Sequence, residues 1–315
     1  MNTSPKKLRV FIAGHTGMVG RALHRALDAS PDMTAIIHPE RLDYTQQTVP
    51  HELLERYQPD AVVLCAAKVG GIHANNTQRA DFIEQNLSIQ LNWIQAAHQH
   101  QLKKFILLGS SCIYPRDTQQ PIPESALLTG SCEPTNQPYA IAKIAGIELC
   151  NAFHHQYQDN FFAIMPPNQY GPFDNFTVGE SHVVAALLRK VYEAADGDTI
   201  TVWGSGTPLR EFMHVDDLAA AIHFCLDKVN AKDCQPHGFF NAGTGDECSI
   251  RDLATAIIAV SGKNLSIKFD PTMPDGMPRK LMDSSLLHAR GWQSSIDLHT
   301  GLNHTWEWME KTLKL

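Results

Sequence analysis

The sequence predicts an α/β protein built on a doubly wound parallel sheet, with a smaller mixed α/β lobe in its C-terminal half. Three observations favour this fold: strand and helix patterns alternate in the first half, a glycine-rich turn joins the first strand to the first helix, and turn-rich segments begin near residue 170. The 315 residues, 43% hydrophobic and 19% charged, can bury a large core without disulfide support. In such sheets, ligands bind beyond the carboxyl ends of the strands.

Short apolar runs predict the strands of the main sheet, at 8–13, 34–38, 61–66, 104–109 and 161–165. Helical patterns lie between or after them, near 18–29, 50–57, 77–100 and 138–157. In the second half we expect a helix at about 180–195, a strand at 199–203 and a further short strand at 239–243, which returns to the main sheet.

The first predicted strand runs into a turn with glycines at positions 14, 17 and 20. In a strand–turn–helix unit the first glycine permits the tight turn, the second lets the backbone approach a pyrophosphate, and the third lets helix and strand pack closely. An ordinary tight turn also accommodates glycine, but this position at the start of the alternation favours dinucleotide binding. We therefore expect a dinucleotide-binding Rossmann domain over 1–170, with segments near 212–245 returning to it, and mainly a substrate-binding lobe over 171–315.

Tyr139 and Lys143 lie four residues apart in a predicted helix, so both project from one face. The ammonium group is expected to lower the pKa of the phenol, which makes the pair a proton donor for a carbonyl group. Ser110 follows the predicted strand 104–109 and can hydrogen-bond a substrate carbonyl, although it can also simply cap the strand end.

Composition weighs against several other classes of protein. A net charge of −7 disfavours nucleic acid or an anionic membrane as the main partner. Seven scattered cysteines without a Cys-x-x-Cys pair indicate a reducing compartment, so we expect a cytoplasmic protein. The apolar run after the basic residues 1–7 is too short for a signal peptide or a membrane span. The sixteen histidines lack ligand-like spacing, so no metal is expected.

Further segments of the chain strengthen the functional interpretation. With the turn, Ser110 and the Tyr139–Lys143 pair, they resemble the extended short-chain dehydrogenase/reductase family, and within it the GDP-sugar epimerase/reductases that make GDP-L-fucose. The matching segments run from about residue 8 to 310 and include Ala67-Lys68-Val69-Gly70-Gly71-Ile72, Gly109-Ser110-Ser111-Cys112-Ile113-Tyr114-Pro115, Glu133-Pro134-Thr135-Asn136, Tyr170-Gly171-Pro172 and Trp203-Gly204-Ser205-Gly206-Thr207-Pro208-Leu209-Arg210-Glu211-Phe212.

The resemblance implies a reaction in two parts. A GDP-4-keto-6-deoxy sugar is epimerised at C3 and C5, and hydride from NADPH then reduces the C4 ketone. Ser110, Tyr139 and Lys143 would act at the ketone, Cys112 would be the base and His182 the acid of the epimerisation. Cys112 can instead be a small buried apolar residue, and His182 can simply cap a helix or lie on its surface.

The resemblance also implies the residues that contact the two ligands. The cofactor set is Gly14, Thr16, Gly17, Met18, Val19, Gly20, Arg41, Ala66, Ala67, Lys68, Lys143, Asn168 and His182. The substrate set is Ser111, Asn168, Lys190, Trp203, Arg210 and Lys280.

Three of these positions have open alternatives. Lys68 can line the cofactor or the sugar, or be a solvated loop lysine. Arg210 can bind a diphosphate or form an ion pair with Asp216 or Asp217. Trp203 can stack on guanine or belong to the core.

The chain departs from the family pattern at positions that touch the ligands. Thr16 stands where the family usually has arginine, and the segment after the second strand is His38-Pro39-Glu40-Arg41, so NADH is possible unless Arg41 or His38 holds the 2′-phosphate of NADPH. Substrate-side departures, at Pro167, Gln169, Ala185 and Lys190, leave room for a sister substrate of the GDP-colitose or GDP-6-deoxy-heptose branch. A non-catalytic dinucleotide-sensing protein is a further alternative.

The resemblance further implies a homodimer. The helices near 77–100 and 138–157 are expected to form a four-helix interface, with Ala140, Ala145 and Gly146 allowing close approach.

Overall fold

A computed structural model describes residues 6–273 and 275–313, so the first five residues of the basic N-terminal segment lie outside the described part. The strands are β1 (Leu8–Ala13), β2 (Met33–Ile36), β3 (Ala61–Leu64), β4 (Lys104–Leu108), β5 (Phe161–Met165), β6 (Asn168–Tyr170), β7 (Thr199–Trp203), β8 (Leu209–His214), β9 (Phe239–Asn241), β10 (Glu247–Ser249), β11 (Ser266–Asp270) and β12 (Arg279–Lys280). The helices are α1 (Met18–Asp28), α2 (Thr48–Tyr57), α3 (Ile72–Thr77), α4 (Arg79–Gln99), α5 (Gln137–Tyr157), α6 (Val183–Glu193), α7 (Val215–Lys228), α8 (Ile250–Ser261), α9 (Ser285–His288) and α10 (Leu298–Thr312).

The main sheet has six parallel strands in the order β2-β1-β3-β4-β5-β9, which confirms the predicted doubly wound parallel sheet. Successive side chains of β1 point to opposite faces: Phe11 packs into one core cluster, while Val10 and Ile12 pack into the other. Both faces are therefore covered by helices, which explains why these strands are continuous apolar runs.

The short strand β9 pairs with β5 at the edge of this sheet, as predicted for 239–243. Helix α7 packs beside it on the Val10 face, where Lys104 at the start of β4 donates from Nζ to the carbonyls of Cys225, Leu226 and Val229 at the C-terminus of α7. The boundary at residue 170 stays a prediction.

The second half contains smaller sheets, of which the sequence patterns predicted only one strand, β7, at 199–203. Strand β8 pairs with β6, β10 and β12, and β7 pairs with β11. Most of these strands are two to five residues long and carry polar side chains, so they lack the apolar runs that marked the main sheet. The lobe's apolar core lies between α6, α8, α10 and strands β7 and β8.

Two predicted helices differ in their bounds. The helix expected at 77–100 is α4, which begins two residues later and follows the short unpredicted helix α3, and the helix expected at 180–195 begins only at Val183. The residues before Val183 form turns, in which Ser181 and Glu180 donate their N–H groups to the Thr177 carbonyl.

The expected role of Ala140 and Gly146 in an interface between chains is wrong. Both are buried inside this chain, where α4 and α5 pack against each other. A Cβ at Gly146 would come within 2.7 Å of the Gln90 amide oxygen and 2.8 Å of Leu107, so the glycine permits close approach of α5 to its own neighbours. The dimer itself stays a prediction.

Over the described residues, no helix is both long enough and apolar enough to cross a membrane. In the same part of the chain, no group of three or more His, Cys, Asp or Glu side chains is arranged to hold a metal ion.

Candidate active site

Ser110 and Cys112 lie together where β4 ends. Ser110 precedes a short 3-10 turn, Ser111–Ile113, and its Oγ accepts from the Cys112 N–H at 3.5 Å and from the Cys112 thiol at 3.1 Å. The thiol is buried but directed to a polar neighbour, unlike a purely apolar cysteine. Burial raises the pKa of the thiol, and the opposing effects of the Lys280 charge and the Ser110 hydrogen bond do not cancel it.

Tyr139 and Lys143 project from the same face of α5 toward this turn. The Lys143 Nζ lies 5.8 Å from the centre of the Tyr139 ring and donates to the Leu108 carbonyl at 2.8 Å. Desolvation lowers the pKa of Lys143 to about 8. Ser110, which accepts from the Cys112 thiol, also lies close enough to the phenol to lower the pKa of Tyr139.

The expected lowering of the Tyr139 pKa by Lys143 is wrong. Desolvation and the nearby Cys112 raise the pKa of the phenol, and the hydrogen bond with Ser110 opposes this only in part. Burial of the phenol is the largest effect on its pKa, while the Lys143 ammonium group is directed to the Leu108 carbonyl.

His182 lies directly before α6 and does not cap it through its side chain, so the capping alternative is excluded. The residue is exposed, in agreement with the surface alternative, although protein atoms lie close around the imidazole. This partial desolvation, and secondly the charge of Lys280, lower the pKa of the imidazole. Lys280 therefore acts electrostatically on both His182 and Cys112.

The glycine-rich turn fits a dinucleotide pyrophosphate. Gly14 has a φ of +100°, and a Cβ there would come within 2.6 Å of the Ala66 nitrogen, while a Cβ at Gly20 would come within 2.2 Å of the Gly14 oxygen. At Gly17 a Cβ would meet only the Gly14 oxygen, at 3.6 Å, so the protein itself leaves this space free. Gly17 also precedes α1 without a side-chain cap, which leaves the first N–H groups of that helix available to phosphate.

The other predicted cofactor residues surround this turn. Thr16 is exposed on it, Met18 and Val19 begin α1, and the Ala66 N–H donates to the Ala13 carbonyl at 2.8 Å, which holds the end of β3 beside it. Ala67 follows Ala66 and is partly buried.

The two candidates for a 2′-phosphate contact differ in availability. Arg41 is exposed and, within residues 6–273 and 275–313, has no side-chain hydrogen bond or ion pair. His38 is buried, and its ring accepts from the Glu40 N–H at 3.2 Å. Arg41 is therefore the available group.

Lys68 is not simply a solvated loop lysine. Its Nζ lies 3.4 Å from Asp81 and 5.6 Å from the centre of the Phe82 ring, which meets the Tyr139 ring edge-on at 6.0 Å. Its backbone N–H is held by Asn86 at 3.1 Å. Lys68 thus lies one aromatic ring away from Tyr139.

Three of the predicted substrate residues, Ser111, Asn168 and Lys280, line one small pocket, together with Pro167, Glu211 and Met282. Desolvation lowers the pKa of Lys280, and the neighbouring Arg210 lowers it further. A partly buried pair of cations of this kind is suited to the phosphates of a nucleotide.

The ion-pair alternative for Arg210 is wrong. Its guanidinium donates to the carbonyls of Leu209 and Asp275, at 2.8 and 3.3 Å. Asp216 instead pairs with Arg25 at 2.6 Å, and Asp217 accepts from the N–H groups of Ser295 and Ile296.

The core alternative for Trp203 is also wrong, because 49% of this residue is exposed at the end of β7. The next residue, Gly204, lies against Asp275, whose backbone carbonyl holds Arg210. Lys190 lies on α6 and donates to the Thr201 carbonyl of β7 at 2.7 Å. Trp203 and Arg210 therefore lie on either side of Asp275, while Lys190 contacts the same strand as Trp203.

Sequence reasoning missed two carboxylates that shape this side of the site. Asp275 accepts from the Ser205 N–H at 2.7 Å and hydroxyl at 2.8 Å, and buried Glu211 accepts from the N–H groups of Thr244, Gly245 and Met282. The position of Glu211 next to Arg210 in the sequence could have drawn attention to it. Its hydrogen bonds could not be predicted, because their backbone donors come from distant segments.

The comparisons with known proteins cover almost the whole chain. A sequence model of the NAD dependent epimerase/dehydratase family matches residues 10–243. GDP-L-fucose synthase of Escherichia coli K12 is 48% identical over 309 residues, 96% of each chain, and GDP-L-colitose synthase of Yersinia pseudotuberculosis is 31% identical over 302 residues, 95% of this chain and 96% of the other. The solved structure of MlghC, a GDP-mannoheptose C4 reductase from Campylobacter jejuni with NADP bound, is 30% identical with a TM-score of 0.87 and covers 98% of this chain and 100% of that chain.

Proposed function

This chain belongs to the NAD dependent epimerase/dehydratase family, and on that premise we propose that it is an NADPH-dependent epimerase/reductase that converts a GDP-4-keto-6-deoxy sugar to GDP-L-fucose. One observation carries the proposal: Ser110, Cys112, Tyr139 and Lys143 converge at the carboxyl end of β4. The glycine turn lies at the same edge of the sheet, after β1.

The epimerisation follows from the acidity of the carbons beside a ketone. Removal of a proton from C3 or C5 forms an enolate, whose negative oxygen needs hydrogen-bond donors. The hydroxyls of Ser110 and Tyr139 supply these donors, since Ser110 lies close enough to the phenol to act on its pKa. Cys112 takes the proton on one face and His182 returns one on the other.

The pKa shifts of Cys112 and His182 favour protonation states opposite to those that their proposed roles need. Burial raises the pKa of Cys112 and desolvation lowers that of His182, so the thiol and the neutral imidazole predominate. Only the minor form, with thiolate and imidazolium, is competent. A proton shift between the two groups produces that form without any net change in charge.

The bound nicotinamide would supply the hydride that reduces C4. Tyr139 then donates its proton to the C4 oxygen, and its raised pKa keeps it protonated until that step. Lys143, fixed by the Leu108 carbonyl, lies close enough to stabilise the phenolate that remains.

The remaining site residues divide between the two ligands. For the cofactor, we propose the turn 14–20 with Ala66, Ala67 and Lys68, Asn168, and Arg41 at the 2′-phosphate. For the substrate, we propose Arg210, Lys280 and Lys190 at the diphosphate, Trp203 on guanine, and Ser111 and Asn168 beside the sugar. Support comes from their shared pocket, their exposure and their charge.

GDP-L-fucose is favoured over the sister products by similarity. The fucose relative is 48% identical, against 31% for the colitose relative and 30% for the heptose reductase. The departures from the family pattern at Pro167 and Gln169 flank Asn168, which we propose contacts the sugar. A sister substrate would therefore be distinguished by its sugar.

We also propose a homodimer formed through α4 and α5. Both helices leave apolar side chains exposed, at Leu91 and Ile141. A monomeric mass in solution would contradict this assembly.

The activity is tested by NADPH oxidation with GDP-4-keto-6-deoxymannose. We expect turnover by the wild type, and loss of at least about a thousandfold in kcat in Tyr139→Phe, because no other acid lies at the ketone. Tyr157→Phe, an exposed tyrosine at the other end of α5, is the matched control and should keep full activity. Tight NADPH binding without turnover of any GDP-4-keto sugar would instead support a dinucleotide-sensing protein.

A further inference from the structure

Two buried hydrogen-bond acceptors without partners lie in the segment that leads into α5. The Glu133 side chain is only 14% exposed, and its Oε2 has no hydrogen-bond partner among the described residues; nor does the buried Oδ1 of Asn136. Leaving a buried acceptor unsatisfied costs about 1–3 kcal/mol. A pair of such acceptors in one turn therefore indicates a site that a ligand completes with donors.

This turn adjoins the proposed active site. The Asn136 N–H donates to the Glu133 carbonyl at 3.2 Å, and Asn136 directly precedes α5, three residues before Tyr139. The Glu133 carboxylate also lies near enough to Lys280 for its charge to act on that ammonium group. Lys280 in turn shares its pocket with Ser111.

Glu133 and Lys280 do not neutralise each other by direct contact. Within the described part of the chain, no ion pair with an N–O distance of 4.0 Å or less joins them. The two opposite charges thus act on each other without direct contact. A ligand bound next to both side chains would meet a cation at Lys280 and an acceptor at Glu133.

A purely structural role for Glu133 does not account for its free oxygen. Arg116 Nη1 lies 3.5 Å from Oε2 without forming a hydrogen bond, and the Arg116 side chain is 49% exposed. The half-exposed Arg116 therefore leaves the buried Oε2 without a hydrogen-bond donor. Thr135 reaches only the other oxygen, Oε1, at 3.4 Å.

We propose that Glu133, assisted by Asn136, binds ring hydroxyls of the sugar and so selects a hydroxylated hexose in the active site; this inference rests on the proposed function. A carboxylate only accepts hydrogen bonds, so its ligand must donate. The diphosphate of a GDP-sugar is itself an acceptor and carries negative charge, which excludes it as the partner of Glu133. Beside Tyr139, where the ketone is reduced, the nearest donors of that substrate are the hydroxyls of the sugar ring.

Binding of GDP and of GDP-L-fucose, measured by calorimetry without cofactor, separates the sugar contact from the nucleotide contacts. We expect Glu133→Ala to weaken GDP-L-fucose binding at least about tenfold and GDP binding less than about twofold, as for loss of a charged hydrogen bond. Glu133→Gln retains the shape of the side chain and one acceptor, so it should give a smaller loss, of about threefold, in the same direction. Arg116→Gln is the matched control and should leave both affinities within about twofold.

The outcomes also separate this inference from the proposed function. If the wild type binds GDP-L-fucose and both Glu133 variants bind it equally well, or bind GDP and GDP-L-fucose with equal losses, Glu133 does not contact the sugar. If the wild type binds neither ligand, the proposed function fails and this inference with it. Should Glu133→Ala unfold, Glu133→Gln alone decides between these results.

Discussion

Replacing Lys143 with methionine should stabilise the protein at neutral pH while abolishing the proposed activity. Lys143 is 3% exposed, and desolvation lowers its pKa from 10.5 to about 8. This drop corresponds to a cost of about 3 kcal/mol for keeping the ammonium group charged in the folded state. Methionine removes that cost but also the hydrogen bond to the Leu108 carbonyl, which contributes about 1 kcal/mol. The expected net gain is about 2 kcal/mol.

The pH dependence of this gain follows from linkage. Below pH 8 both the folded and the unfolded wild type carry the Lys143 proton, so the full cost is present. Between about 8 and 10.5 the folded state loses the proton while the unfolded state keeps it, so the stability of the wild type rises relative to the variant. Above pH 10.5 both the folded and the unfolded wild type have lost the proton, so the desolvation cost no longer contributes to the stability difference between the wild type and the variant.

Urea unfolding of both proteins at pH 7, 8.5 and 10 measures this difference. A Lys143→Met variant that is less stable than the wild type at pH 7, or a difference that does not shrink with pH, would refute the reasoning. Lys104→Met is the matched control: this lysine is also buried, but its Nζ donates to three carbonyls of α7, so its loss should destabilise the protein by about 2 kcal/mol or more.

Four further predictions concern the site and its surroundings. Cys112→Ser should lower deuterium exchange at C3 and C5 at least about a hundredfold while C4 reduction of an already epimerised substrate persists; unchanged exchange would remove Cys112 from the mechanism. The epimerisation rate should be constant across neutral pH. It should fall only below pH 6.5, where His182 with its lowered pKa titrates, and above pH 9, where Cys112 with its raised pKa titrates. A rate maximum confined to a narrow range near neutrality would contradict these shifts. Arg41→Ala should reduce the ratio of kcat/KM for NADPH to that for NADH by about tenfold, and an unchanged ratio would place the 2′-phosphate elsewhere. Burial raises the pKa of Glu124 from 4.5 to about 7, so the wild type should lose about 3 kcal/mol of stability as the pH rises between these values; Glu124→Gln should remove this slope, and a slope that persists would refute the assignment.

The main sheet could be predicted because its strands are buried on both faces. The runs at β1, β3, β4 and β5 are apolar at nearly every position, which leaves little ambiguity about where they lie. The convergence of Ser110 with Tyr139 could also be predicted, because the carboxyl ends of parallel strands share one edge of the sheet. The short strand β8 could not, since it mixes Arg210 and Glu211 with apolar residues and is paired by segments far away in the chain.

The chemistry of the site was less accessible to sequence reasoning than its location. Spacing indicated that Lys143 faces Tyr139, but the direction of the Tyr139 pKa depends on burial, which only the packed structure gives. The ion-pair alternative for Arg210 named Asp216 and Asp217 because they are near in sequence, whereas the contact in the structure is with the distant Asp275. Gly146 was placed in an interface between chains, whereas it lets α5 approach Gln90 and Leu107.

The most direct test of the account is the fate of the sugar protons in D2O. With GDP-4-keto-6-deoxymannose and NADPH, the account predicts GDP-L-fucose that carries deuterium at C3 and C5 and the hydride from NADPH at C4, as resolved by NMR. A product reduced at C4 that keeps the manno configuration and its original protons at C3 and C5 would contradict it, because Cys112 and His182 would then have no proton to move.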